Sequence, residues 1–121
     1  YEDLFKYQGE VLYIGNLPAA LEIFKKSYKK IDQSAYSSLF SLREILDTSE
    51  ISKQYAEDND GEYHQTKFIP NEFMPFNVDV GIFDKKTIIT SVTKNYFSIS
   101  IDDKSITDSF RAIFEVMWRG L

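Results

Sequence analysis

The 121-residue chain has no cysteine, one histidine, one tryptophan, three prolines and five glycines. Without cysteine it can form neither disulfides nor thiolate metal sites, and a lone histidine leaves no second imidazole to complete a histidine metal centre. No run approaches the roughly eighteen apolar residues that a membrane-spanning helix needs, and no secretory signal is visible. The cytoplasm is therefore the expected location, with no membrane partner. Basic residues are in deficit, with 14 Lys and Arg against 19 Asp and Glu for a net charge of -5. A phosphate backbone rewards basic surfaces, so this balance argues against non-specific nucleic-acid binding by the segment. Lys25, Lys26, Lys29 and Lys30 form the one basic concentration, at the spacing of a solvated helix face.

What is present is apolar and aromatic. Hydrophobic residues make up 43% of the chain and aromatic residues 16%, including ten Phe and eight Tyr. That composition suits one domain over residues 1–121 with a sizeable core, and it does not suit a disordered chain.

Periodicity divides the chain into two halves. Glu10 to Ile14 reads as a strand ended by Gly15-Asn16. Pro18 then opens a helix carrying Leu21, Phe24, Tyr28 and Ile31 at helical spacing. Leu39 to Leu46 reads either way, with LREIL as a short second strand. Thr48 caps a short helix over Ser49 to Ala56, stopped by Asp58-Asn59-Asp60-Gly61. The second half is rich in strands: Tyr63 to Ile69, Val78 to Phe83, Thr87 to Val92 and Tyr96 to Ile101. A closing amphipathic helix runs from Lys104 to Arg119, with Ile106, Phe110, Ile113, Phe114 and Met117 as its core-facing stripe. Asp102, Asp103 and Ser105 compete for its N-cap, and Gly120 ends it. This order predicts an α/β fold, a mixed β-sheet flanked by helices.

The chemistry-bearing residues are few. Val78, Val80 and Ile82 alternate with Asp79 and Gly81, so Asn77 and Asp79 share the strand face opposite the apolar one. Asp84 falls in the polar turn Asp84-Lys85-Lys86, where an aspartate bonds its own backbone. Asp79 and Asp84 do not make a glycosidase pair or a metal clamp without further converging acids. His64 shares a strand face with Thr66. With no serine or cysteine elbow beside it, it reads first as a structural or rim histidine and second as a ligand contact.

Two overlapping segments, HQTKFIPNEFMPFNVDVGIFDKKTIITS and IFDKKTIITSVTKNYFSISIDDKSITDSFRAIFEVMWRGL, resemble the effector domain of TrmB-type transcriptional regulators. Arg43 in REIL, Phe68-Ile69-Pro70, Asp84 in the hairpin turn and Phe114 to Trp118 carry the likeness. It spans roughly residues 10 to 121 and is clearest after Gln65. In that family a winged helix-turn-helix precedes a C-terminal domain built like half of a phospholipase D.

The resemblance implies several things about this chain. The winged helix is expected upstream, so DNA is met only through that missing N-terminal domain. A homodimer is expected, and relatives bind sugars such as maltose or trehalose. Phospholipase D enzymes carry a His-x-Lys-x-x-x-x-Asp motif on this hairpin. Laid on Asp84, the motif puts Asn77 at the histidine and Asp79 at the lysine. An amide supplies no imidazole nucleophile and a carboxylate repels phosphate, so Asp84 is the one motif remnant. The leading expectation is a catalytically inactive, ligand-sensing and dimerisation domain without cofactor or metal. Its effector would be a neutral small molecule seated on Asn77 and Asp79, with His64 or Arg43 in reach. The alternatives are an active phosphodiester hydrolase of phospholipase D type and a protein-interaction module without ligand.

Overall fold

A computed structural model of the chain describes residues 9–18, 40–74, 76–93 and 97–121. Strands β1 (Gly9–Gly15) and β2 (Phe40–Leu46) pair in parallel, with Leu12 beside Arg43 and Ile14 beside Ile45. β3 (His64–Phe68) continues the parallel set on the far side of β2, with His64 beside Leu42 and Thr66 beside Glu44. Parallel neighbours need a crossover. Between β2 and β3 that crossover is helix α1 (Glu50–Asn59).

β4 (Val78–Phe83) joins the free side of β1 in antiparallel sense, and β5 (Lys86–Ser91) and β6 (Phe97–Asp102) follow in the same sense. The sheet has six strands in the order β3-β2-β1-β4-β5-β6. The fold is α/β, a mixed sheet with helices on both faces. None of the helices is long and apolar enough to cross a membrane among the described residues. The helix expected after Pro18, with Leu21, Phe24, Tyr28, Ile31 and the lysine group, lies outside the described residues.

Helix α2 (Lys104–Gly120) lies across β4, β5 and β6. Beneath it Leu12, Ile14, Ile45, Ile69 and Ile82 surround the fully buried Phe114, with Phe110, Met117 and Trp118 packed around them. The opposite face buries Val11, Leu42, Phe83 and Ile88, then Leu17, Leu46 and Tyr55.

The N-cap of α2 is Asp103, whose carboxylate accepts from the Ile106 amide at 2.8 Å. The Thr107 hydroxyl reaches Lys85 O at 2.8 Å and shares a buried 3.0 Å bond with Thr87. Arg111 Nη2 donates to Asp84 O at 3.0 Å. Asp84 sits in the β4–β5 turn with φ 53, a left-handed conformation that aspartate tolerates better than most residues. Three polar contacts thus pin the start of α2 to one hairpin.

Four expectations need correction. α1 is capped by Ser49, which accepts from the Ser52 amide, rather than by Thr48, and it runs through Asn59 rather than stopping at Ala56. Residues 71–73 form a 3-10 turn (Asn71–Phe73) that periodicity did not mark. Ile106 and Ile113 are exposed, because the stripe proposed for α2 is wider than the strip of helix that rests on the sheet. Phe114 does lie at its centre, together with Thr107 and Trp118, which the stripe left out. Finally, the sheet face that carries Asp79 is buried, not open and polar.

Candidate functional site

The carboxyl ends of β1 and β2 and the start of β4 converge where the chain leaves β1. β2 and β3 extend the sheet to one side of β1, and β4 to the other. Ligands of open α/β sheets tend to collect at such a switch in strand order.

Two carboxylates from different strands close this turn. Asp79, on β4, accepts from the Asn16 amide at 3.3 Å and from the Tyr13 hydroxyl. Asp47, just beyond β2, accepts from the Leu17 amide at 3.0 Å, the Ser49 amide at 3.1 Å and the Ser52 hydroxyl at 2.5 Å. Gly15 has no side chain for a reason visible here. A Cβ would sit 2.4 Å from both Asp79 Oδ1 and the Tyr13 hydroxyl.

The two acids are treated differently. Burial alone would raise the Asp47 carboxyl, but its bonds to Ser49, Ser52 and Leu17 outweigh that and hold it below the ordinary aspartate value. Asp79 is 1% exposed, and among the described residues its Oδ2 has no hydrogen-bond partner. Burial pushes it up to about 6, against the pull of Tyr13 and Asn16. Its protonated form is therefore populated at a higher pH than that of a solvated aspartate.

His64 stands on the same face, but β2 and β1 lie between β3 and β4. At the usual strand spacing that separates it from Asp79 by about 14 Å. It is 2% exposed, with Nε2 3.3 Å from Glu44 Oε2 and 3.4 Å from the Tyr55 hydroxyl. Tyr55 in turn donates to Glu44 Oε1 at 2.8 Å, and its ring meets the imidazole edge-on. This internal network ties the histidine to Glu44 and Tyr55 rather than to the Asp79 turn.

Arg43 points to the other face. It donates to Glu115 of α2 and to Glu10, at 2.9 Å and 3.0 Å for the latter, and its guanidinium lies 5.4 Å from the Phe114 ring centre and 5.3 Å from that of Trp118. Burial works against its charge, but the two carboxylates more than compensate and raise its pKa further. Lys67 caps the same ring stack, 4.8 Å from the Trp118 ring centre and donating to Trp118 O at 2.6 Å.

Of the residues singled out by sequence, the turn keeps Asp79 and, on the same strand face at the sheet's end, the exposed Asn77. His64 belongs to a separate cluster, Arg43 to the opposite face and Asp84 to the far end of β4. Sequence reading missed Asp47, Glu44, Tyr13 and Tyr55. The Asp47-Thr48-Ser49 run directly after a strand was the signal for the first. The others depend on pairing between distant strands. Among the described residues no group of three or more His, Cys, Asp or Glu is disposed to hold a metal ion.

A solved structure of TrmBL2, described as an archaeal chromatin protein with a novel mode of DNA binding, is similar over 98% of this chain at a TM-score of 0.63. The likeness is one of fold. Sequence identity is 16%, and the chain spans 46% of that protein's length. No family model matches the chain, and no curated protein does.

Proposed function

We propose that this chain is the catalytically inactive effector and dimerisation domain of a TrmB-type transcriptional regulator, built like half of a phospholipase D. A winged helix-turn-helix preceding it would make the DNA contact. The fold shared with TrmBL2 supports the class, and the acidic balance of this segment fits a division of labour in which DNA is met elsewhere.

The observation that carries the non-catalytic reading is Asp79. Where a phosphodiesterase of this kind needs an ammonium to hold phosphate, this chain has a carboxyl group sunk into the sheet and bonded to the β1 exit turn. Asn77, at the position of the nucleophile, offers an amide. The one histidine is engaged with Glu44 and Tyr55.

An effector would sit at the strand ends around Asn77 and the Asp79 turn. An exposed amide there can both donate and accept, and the ionised form of the Asp79 carboxyl disfavours phosphates and acids. Neutral polyols are the favoured class, ahead of amines.

The test is a thermal-shift screen of neutral sugars, amines and phosphorylated metabolites on the wild type, Asn77→Ala and Asp79→Ala. A chromogenic phosphodiester is assayed in parallel. The reading expects a neutral ligand whose shift is lost in at least one variant, with no turnover above background. A preference for phosphorylated ligands, or saturable hydrolysis, overturns it. The interaction-module alternative draws its support from the apolar side chains exposed on β6 and α2.

A further inference from the structure

The apolar side chains left in solvent are not scattered. β6 is the edge of the sheet, and among the described residues it has a strand neighbour only on its β5 side. Ile99 pairs with Ile89, and Ile101 with Thr87, whose hydroxyl bonds Thr107 of α2. Phe97, Ile99 and Ile101 therefore all lie on the face that α2 covers. On α2, Ile106 and Ile113 are seven residues apart and so share one flank, beside the buried line of Thr107 and Phe114. Phe97 is 57% exposed, Ile99 49%, Ile106 42% and Ile113 54%.

Natural edge strands are usually guarded by a lysine, a proline or a bulge. From Phe97 to Ile101 this one reads Phe-Ser-Ile-Ser-Ile and carries none of these. The strand and the helix flank thus offer an open backbone edge and an apolar ledge on the same side of the molecule.

We propose that this surface joins two copies of the chain by antiparallel pairing of β6 with β6 across a two-fold axis. It deepens the dimerisation part of the reading above and rests on it only for the expectation that a second copy binds. Three features favour a second copy over another occupant. Side chains of this size and exposure present on the order of 100 Å² each, or roughly 400 Å² together. A standard interface buries about 800 Å² per partner, some 55–65% of it apolar, and this patch supplies most of that share. A sequence centred on Ile99 is self-complementary when antiparallel, placing Ile99 against Ile99 and Ser98 against Ser100. The acidic pair Asp102 and Asp103 then falls at opposite ends of the seam, so like charges stay apart. With the axis normal to the sheet, the two α2 flanks meet over the joined strands.

Sedimentation equilibrium over a concentration series tests this on the wild type, Ile99→Lys, Ile113→Lys and the control Ile51→Lys, which alters an exposed isoleucine of α1. The wild type and the control should dimerise, and each of the other two should associate at least about tenfold more weakly with unchanged melting. Hydrogen exchange on the wild type needs no variant, and β6 amides should gain protection as concentration rises. A dimer that persists in both variants, without protection at β6, overturns this surface while leaving dimerisation intact. A wild type that stays monomeric to high micromolar overturns both.

Discussion

The two faces of the sheet solve the same burial problem with different chemistry. Beneath α2 the buried side chains are aliphatic or aromatic apart from the hydrogen-bonded Thr87–Thr107 pair, and the charges nearby stay at the rim. Arg43 and Lys67 rest on the Phe114–Trp118 stack and reach outward to Glu10, Glu115 and the helix terminus. The opposite face takes acids inside: Glu44 with His64 and Tyr55, Asp47 with its turn, and Asp79 over Gly15. One face is a packing surface that leaves its ions in solvent. The other holds buried polar groups that need specific partners, and two of its acids, Asp79 and Glu44, each keep one oxygen without a hydrogen bond among the described residues. Stability on the two faces should therefore respond to different perturbations.

The largest effect is expected on the apolar face. Phe114→Ala removes the fully buried ring that α2 presses into the sheet and should destabilise by about 3–5 kcal/mol, read from urea unfolding. A loss below about 1 kcal/mol would mean that α2 is not what closes this face.

Gly15→Ala probes the polar face by crowding. The added methyl meets the Asp79 carboxyl and the Tyr13 hydroxyl, and about 1–3 kcal/mol should be lost. Much of that loss should return in the combination with Asp79→Ala, because one of the two clashing groups is then gone. Strict additivity of the two changes would break the proposed contact.

Arg43→Ala should cost about 1–2 kcal/mol, through lost stacking on Phe114 and Trp118 as well as lost pairing. Arg43→Lys should recover only part of it, since an ammonium cannot span Glu10 and Glu115 as the planar fork does. Full recovery by lysine would reduce the residue to a plain charge.

The smallest change lies at the rim of the polar face. Ser49→Ala removes the cap of α1 and a bond to Ser52, and about 1 kcal/mol should be lost.

Much of this architecture was legible in the chain because it is local. Alternation in Val78 to Phe83 and in Phe97 to Ile101 fixed which side chains share a face. The 3.6-residue period placed Phe114 on the covered side of α2, and Asp103 was one of three candidates for its N-cap. β2 was ambiguous because Leu42, Glu44 and Leu46 are buried on one face and Ile45 on the other, so the alternation that distinguishes a half-exposed strand is absent. α1 was read short because Glu57, Asp58 and Asn59 look like a stop, although an exposed helix end tolerates them. The polar face was nearly invisible. Glu44 meets His64 only because β2 and β3 pair in one register, and Asp79 meets Asn16 only because β4 returns beside β1. Asn77 and Asp79 attracted notice for their spacing from Asp84. Nothing in that spacing disclosed that one would be exposed and the other buried.

The contrast between the faces rests most directly on the buried carboxyl of Asp79. Its folded pKa of about 6 lies above the ordinary 3.8, so the folded state binds its proton more tightly than the unfolded chain does. Its contribution is fully present below pH 4, is lost as pH rises toward 6, and amounts to about 3 kcal/mol at most. Other carboxylates, such as Asp47 and Glu115, shift in the opposite sense, so the wild-type curve alone does not isolate it. The decisive measurement is the unfolding free energy of the wild type and of Asp79→Asn, taken by urea titration from pH 4 to pH 8. The expected result is a gap that widens in favour of the asparagine variant between pH 4 and pH 6 and is then constant. Parallel curves across the whole range would mean that Asp79 is ionised and satisfied in the folded protein, contradicting the account of the polar face.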